Sequence, residues 1–97
     1  MYNLAMNFEW DECKNKENIK NHGIDFNDAI EIFSAPRFEH LNTRFDYDEP
    51  RYITIGFCNN RIILVAYSER NDKIRLISAR KANAKEKKSF QNRLGKG

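Results

Sequence analysis

The spacing of apolar residues changes at Pro36, and this change constrains the fold more than any other feature of the chain. Before it, Phe26, Ala29, Ile30 and Phe33 recur at intervals of three and four, the pattern of a helix with one buried face. After it, apolar and polar residues alternate, as they do in β-strands. Because proline cannot continue a helix, the helical part ends just before this position. The chain therefore predicts helices first and a sheet second.

Two N-terminal helices are predicted from their end signals. Asp11 is a suitable N-cap for a helix over Glu12–Asn21, since its carboxylate can accept the free backbone N–H groups of the first turn. Gly23 supplies the left-handed residue that ends this helix. Asp25 can cap the second helix, which carries the apolar stripe.

Four segments have the composition of strands, and tight turns at Asn59-Asn60 and Asn71-Asp72 join the last three, because asparagine tolerates positive φ. The third segment is apolar on both sides, as in a central strand, and the first is expected at a sheet edge. A polar loop over Asp46–Pro50 separates the first segment from the second. The four segments are Arg37–Thr43, Tyr52–Cys58, Arg61–Ser68 and Lys73–Arg80.

A final helix over Ala84–Leu94, capped by Asn83, follows the strands. Helices segregated from an antiparallel sheet predict an α+β fold. We expect two N-terminal helices, a three- to four-stranded antiparallel sheet and a C-terminal helix.

Length and composition exclude several classes of protein. The 97 residues suit one domain over 1–97, with a short extension at 1–7 and a frayed tail at 95–97. The longest apolar run, Ile62–Tyr67, is far shorter than the roughly 20 residues of a membrane span, and no signal peptide is recognisable. Cys13 and Cys58 fit neither a disulfide framework nor a zinc motif. We expect a cytoplasmic protein without metal or cofactor.

Charge is distributed unevenly along the chain. Residues 69–97 hold ten Lys/Arg and three Asp/Glu, a net charge of +7, whereas residues 1–68 hold seven bases and eleven acids, a net charge of −4. A basic C-terminal third indicates a polyanionic partner such as nucleic acid. A solvated basic helix would give the same pattern.

Candidate reactive residues gather at the ends of the last two strands. Glu69 and Arg70 lead into the second turn, and Arg80 closes the last strand. Strand alternation puts Arg80 on the face opposite Arg75, and it does not bring Glu69 beside Arg80. Glutamate can accept a proton and arginine can hold a phosphate through two parallel hydrogen bonds, so these side chains, with His22, permit a metal-free ribonuclease. The alternative is that they are ordinary surface charges.

Several segments together resemble the BrnT family. The chain reads Phe8-Glu9-Trp10-Asp11-Glu12, then Lys14, Asn18 and Lys20-Asn21-His22-Gly23, close to the family pattern F-E-W-D-x-x-K-x-x-x-N-x-x-K-H-G. It departs from that pattern at Asn21, since the usual lysine falls one position earlier. The resemblance extends from Phe8 to about Phe90, and its later matches are Phe26, Ala29, Phe33, Pro36, Arg51, Gly56, Leu64-Val65, Ser68-Glu69-Arg70, the run from Ile74 to Ala82, and Glu86.

The resemblance implies a fold like that of the RelE ribonucleases and a toxin of a bacterial type II toxin–antitoxin module. Such toxins cleave RNA and arrest growth. Their BrnA antitoxin carries a ribbon-helix-helix domain, and the complex represses its own operon by binding operator DNA. Matching motif positions make Glu69, Arg70 and Arg80 the first candidates for the active site, with Glu69 as proton acceptor and the two arginines as phosphate ligands.

His22 is a further catalytic candidate, although it directly precedes the helix-ending Gly23 and could equally favour the negative end of the helix. Possible contacts to the RNA backbone are Lys14, Lys73, Arg75 and Lys81. Two other functions fit the same sequence. One is a basic domain that binds nucleic acid without cleaving it, and the other is a protein that mainly pairs with an antitoxin to repress transcription.

Overall fold

The structure is a computed structural model that describes residues 7–42 and 50–96. Of the predicted loop over Asp46–Pro50, only Pro50 lies within these ranges, and Thr43 at the end of the first predicted strand lies outside them. The elements in chain order are β1 (Asn7–Glu9), α1 (Glu12–His22), α2 (Phe26–Ala29), a 3₁₀ helix (Ile30–Ser34), β2 (Arg37–Asn42), β3 (Arg51–Cys58), β4 (Arg61–Arg70), β5 (Lys73–Lys81) and α3 (Ala84–Lys96).

The α+β class is confirmed, and the sheet differs from the prediction. Across the described ranges it has five strands in the order β1-β5-β4-β3-β2, and it is mixed rather than antiparallel. The added strand is β1, which pairs parallel with β5. Three residues are too few to show a period of two, so the sequence pattern could not reveal it. The edge position of β2 and the central position of β4 are confirmed.

The predicted caps of the first two helices and the two predicted turns are confirmed. Asp11 Oδ1 accepts a hydrogen bond of 2.7 Å from the backbone N–H of Cys13, and Gly23 ends α1 in the left-handed conformation with φ of 70°. Asp25 caps α2. Both hairpin turns place two consecutive residues at positive φ, as two-residue turns require. α3 begins after Asn83 and runs to Lys96, two residues beyond the predicted end.

The sheet has two faces that are covered differently. On one, which we call the helix face, α2 and the 3₁₀ helix pack over the main hydrophobic core, whose strand residues are Ile63, Val65, Tyr67, Ile74, Leu76 and Ala79. On the other, which we call the open face, Phe90 of α3 packs on a smaller cluster with Ile62 and Ala82. Of the other residues on this face, Ser78 and Arg80 are exposed, whereas Ser68 is fully buried.

α1 is held against the sheet by buried asparagines rather than by its few apolar residues. Ile19 stays exposed, whereas Asn15 and Asn18 are buried. Asn18 donates 2.9 Å hydrogen bonds to the carbonyls of Ile24 and Ala79, and its Oδ1 accepts one of 3.1 Å from the N–H of Ala79. Its amide therefore completes the backbone hydrogen bonds of β5 at a point beyond the end of β1.

Candidate functional site

An extra residue in β5 changes which side chains share a face of the sheet. Leu76 lies opposite Tyr67 and Ser78 lies opposite Ala66, so Ile77 has no opposing residue of its own. A β-bulge of this kind reverses the alternation of the residues beyond it. The predicted alternation, which put Arg75 and Arg80 on opposite faces, is therefore wrong. Sequence alternation alone could not reveal the bulge.

Arg75 and Arg80 both lie on the open face. Residues directly opposite one another in a ladder share a face. Arg75 is opposite Ser68, and Arg80 is opposite Leu64, which packs against the cluster under α3. Ser68 and Leu64 are four residues apart in β4, so their side chains point the same way and the two arginines are about 13 Å apart along the strands.

A row of polar residues crosses the open face at the level of Arg75. Glu9 of β1 lies beside Arg75 on one side, and Ser68 followed by Arg51 of β3 lies on the other. Lys73, two residues before Arg75, lies on the same face. We call the surface formed by Arg51, Lys73, Arg75 and Arg80 the basic face.

Small side chains form the floor between the two arginines. Ala66 and Ser78 lie opposite each other in the row between Arg75 and Arg80. Ser78 is exposed and Ala66 is partly buried, so neither fills the space above the sheet. Two long guanidinium side chains can approach the same anion across such a floor, and each offers donors that match phosphate oxygens.

Two carboxylates accompany these cations. Glu9 lies 3.7 Å from Arg75 Nη1 and 4.0 Å from Lys73 Nζ, with 30% of its side chain exposed. Glu86 forms a two-point ion pair with Arg80 at 3.0 and 2.9 Å. Among the described residues, cations outnumber carboxylates on this surface, which suits an anionic ligand.

Glu86 is fixed by a second set of contacts. Its carboxylate accepts a 2.9 Å hydrogen bond from the N–H of Asn83, and the Asn83 side chain accepts one of 2.8 Å from the N–H of Glu86. This reciprocal arrangement is a capping box at the start of α3. The hydrogen bonds from Arg80 are the main reason that the pKa of Glu86 is lowered, so Glu86 is a weak proton acceptor. The hydrogen bonds to Glu86 in turn raise the pKa of Arg80.

The structure does not bring the predicted catalytic residues together. Glu69 is exposed and lies opposite Ile74, which places it on the helix face, away from Arg75 and Arg80. The backbone of Arg70 pairs with Lys73, and the Arg70 side chain is outside the described part of the chain. His22 is exposed at the end of α1, and no contact among the described residues joins it to the basic face.

The four predicted RNA contacts fall into two groups. Lys73 and Arg75 belong to the basic face. Lys14 is exposed on α1, and Lys81 is exposed at the end of β5, opposite Ile63. Neither Lys14 nor Lys81 takes part in the row of residues that crosses the open face.

Besides Glu86, the residues of this surface that were missing from the predicted site are Glu9 and Arg51. Both belong to the motifs that carry the family resemblance, yet nothing in their local sequence indicates a site. Glu9 lies beside Arg75 because β1 joins the sheet, and Arg51 lies in the same row because it begins β3 opposite Ser68. Contacts between distant segments therefore assemble the surface.

Two features are absent from the described residues. No group of three His, Cys, Asp or Glu side chains there is arranged to hold a metal ion. No helix in the same part of the chain is long and apolar enough to cross a membrane.

Comparison with protein families gives one match over most of the chain. Residues 10–86 match the model of the family described as "Ribonuclease toxin, BrnT, of type II toxin-antitoxin system". Arg51, Arg75, Arg80 and Glu86 fall inside the matched range, and Glu9 lies one residue before it. Comparison with curated proteins gives no match.

Proposed function

The chain belongs to the BrnT family of ribonuclease toxins of type II toxin–antitoxin systems, and on that premise we propose that it is a metal-independent endoribonuclease whose site is the basic face. The observation that carries this proposal is the bulge at Ile77, which places Arg75 and Arg80 on one face above a floor of small residues. Bulges are frequent beside active sites, where they redirect side chains.

The proposed reaction uses the 2′-hydroxyl of RNA as the nucleophile. A carboxylate takes the hydroxyl proton, the 2′-oxygen attacks the neighbouring phosphorus, and the bond from phosphorus to the 5′-oxygen breaks. The products are a 2′,3′-cyclic phosphate and a 5′-hydroxyl, whose oxygen receives a proton. Arg75 and Arg80 stabilise the negative charge that builds on the phosphate oxygens in the transition state.

We propose Glu9 as the proton acceptor, because it lies on the same face as the two arginines and directly beside Arg75. Glu86 is less suited, since its pKa is lowered and its oxygens are bound by Arg80 and Asn83. Glu69 is the second candidate. Arg70 as a phosphate ligand and His22 as a catalytic residue also remain part of the sequence-based proposal.

Arg75→Ala should lower the cleavage rate by about 10²-fold, the usual effect of removing one donor that stabilises transition-state charge. Arg75→Lys keeps the charge but loses the planar pair of donors, so it should retain an intermediate rate. Single-turnover cleavage at saturating RNA measures both variants. Lys16→Ala, an exposed change on α1, is the control. Full activity of Arg75→Ala would remove Arg75 from the site.

The activity itself is tested with purified protein, free of any partner, in excess EDTA. We expect cleavage of a single-stranded RNA under these conditions and no cleavage of the same strand with 2′-deoxyribose throughout. Binding of the RNA without cleavage would instead support a nucleic-acid-binding protein. Cleavage that requires added divalent metal would contradict the metal-independent mechanism.

Membership of a type II system implies an antitoxin partner. We propose that this partner is of the BrnA type, with a ribbon-helix-helix domain, and that operator DNA is bound only through the complex. The proposal includes growth arrest in the cytoplasm by the free toxin and a fold like that of the RelE ribonucleases. A partner that neutralises a basic site is expected to present acidic side chains to it.

A further inference from the structure

A cavity lies between the β3–β4 hairpin and α3, beyond the end of the basic face. It has a volume of about 400 Å³, within the ~300–1,000 Å³ range of small-molecule sites. We call it the hairpin pocket. Its polar and aromatic lining residues are Phe57, Asn60, Arg61, Lys81, Lys87 and Gln91.

The charge of the hairpin pocket is unbalanced. Arg61, Lys81 and Lys87 contribute three cations, and no carboxylate is present among the described residues that line it. On the basic face, by contrast, Glu9 pairs with Lys73 and Arg75, and Glu86 pairs with Arg80. The pocket is therefore suited to a phosphate or another anion.

Phe57 gives the pocket a surface for stacking. It is 38% exposed, although it lies in a strand beside the cluster under α3. Its ring meets Phe90 edge-on, with centroids 5.2 Å apart, so one part of the ring is fixed by packing and another part is open. Exposed aromatic rings beside cations are the usual platform for bases of single-stranded nucleic acid.

The hairpin pocket lies at the far end of β5 from Arg75, where Lys81 and Arg61, which are opposite Ile63 and Cys58 of the helix face, line one cavity with Phe57 of the open face. Lys81 follows Arg80 directly in the chain, and the strand from Arg75 to Lys81 covers about 20 Å. A strand of RNA whose phosphate lies between Arg75 and Arg80 can follow β5 toward this pocket. Asn60 and Gln91 add amide groups that can both donate to and accept from a base edge.

We propose that the hairpin pocket binds one unpaired nucleotide of the RNA substrate outside the cleaved bond. The base stacks on Phe57, and Arg61, Lys81 and Lys87 hold the flanking phosphates. This inference rests on the proposed function, because it takes RNA as the ligand of the neighbouring basic face. An RNA long enough to reach the pocket should therefore bind more tightly than one that covers only the basic face.

The test compares short and long substrates with variants of the pocket. Phe57→Leu keeps an apolar group against Phe90 but removes the stacking surface, and a Lys81→Ala/Lys87→Ala double variant removes two exposed charges. Lys85→Ala, on the same helix but outside the lining, is the matched control. Binding is measured with a 2′-O-methyl octanucleotide, which cannot be cleaved, and cleavage with a dinucleotide and an octanucleotide.

Each pocket variant should weaken octanucleotide binding by about tenfold and raise its KM, while the rate on the dinucleotide stays that of the wild type. Equal octanucleotide affinity in wild type and both variants, with cleavage intact, would overturn the pocket and leave the proposed function standing. A wild type that neither binds nor cleaves any of the RNAs would overturn both. Binding of a polyglutamate peptide that depends on the lysines, with no effect of either variant on RNA, would assign the pocket to an acidic protein partner instead.

Discussion

Replacing Glu9 with glutamine should slow RNA cleavage by about 10²–10⁴-fold, the range that a positioned general base contributes. Glutamine keeps the size of the side chain and can still accept a hydrogen bond from Arg75, but its amide cannot take the proton of the 2′-hydroxyl. RNA binding should therefore change little. Single-turnover cleavage at saturating RNA, with the affinity for a 2′-O-methyl RNA measured in parallel, separates the two effects.

Glu69→Gln is the matched comparison for Glu9→Gln. Glu69 is exposed and lies on the helix face, so its replacement should leave the rate within a few-fold of the wild type. The reverse pattern, with Glu69→Gln inactive and Glu9→Gln fully active, would transfer the role of proton acceptor to the end of β4. Circular dichroism and thermal unfolding of both variants show whether either change affects the fold.

Asn18→Ala should destabilise the protein by about 3–5 kcal/mol, the largest effect on stability that we expect from a single change. The substitution removes three buried hydrogen bonds and leaves the carbonyls of Ile24 and Ala79 and the N–H of Ala79 without their partner. Each such buried group costs about 1–3 kcal/mol when it loses its hydrogen bond. Urea unfolding at equilibrium measures the loss.

Asn21→Ala is the control, because Asn21 is exposed on the same helix and the same residue type is replaced. It should alter the free energy of unfolding by less than about 0.5 kcal/mol. Since a domain has only ~5–15 kcal/mol of stability, Asn18→Ala can fall close to the unfolding threshold. In that event, the midpoints of urea unfolding of the two variants are compared in the presence of a stabilising osmolyte. Equal stability of the two variants would contradict the structural role of Asn18.

The sequence was most informative where local chemistry determines local structure. Asp11, Gly23 and the two asparagine-containing turns act through the backbone of their own neighbours, so their effect can be predicted from a few residues. The change of period at Pro36 likewise located the boundary between helices and sheet. The ribonuclease activity was indicated by the family resemblance. The spacing of residues alone permitted this activity but did not establish it.

The candidate site was less predictable because it depends on contacts between distant segments. The bulge at Ile77 is visible only when β5 is paired with β4, and without it Arg75 and Arg80 would lie on opposite faces. Glu9 enters the site through a three-residue strand. The importance of Asn18 was hidden for a related reason, since an asparagine in a polar helix has the pattern of a surface residue until its partners in β5 are known.

The surface that contacts RNA can be mapped directly by titrating ¹⁵N-labelled protein with a 2′-O-methyl oligonucleotide and following the backbone amide signals. If RNA occupies the basic face, the largest shifts will come from Arg51, Arg75, Ser78 and Arg80, with smaller shifts on α1 and α2. Shifts confined to the helix side, around Lys14 and His22, with none on β5, would contradict the assignment of the site to the open face of the sheet.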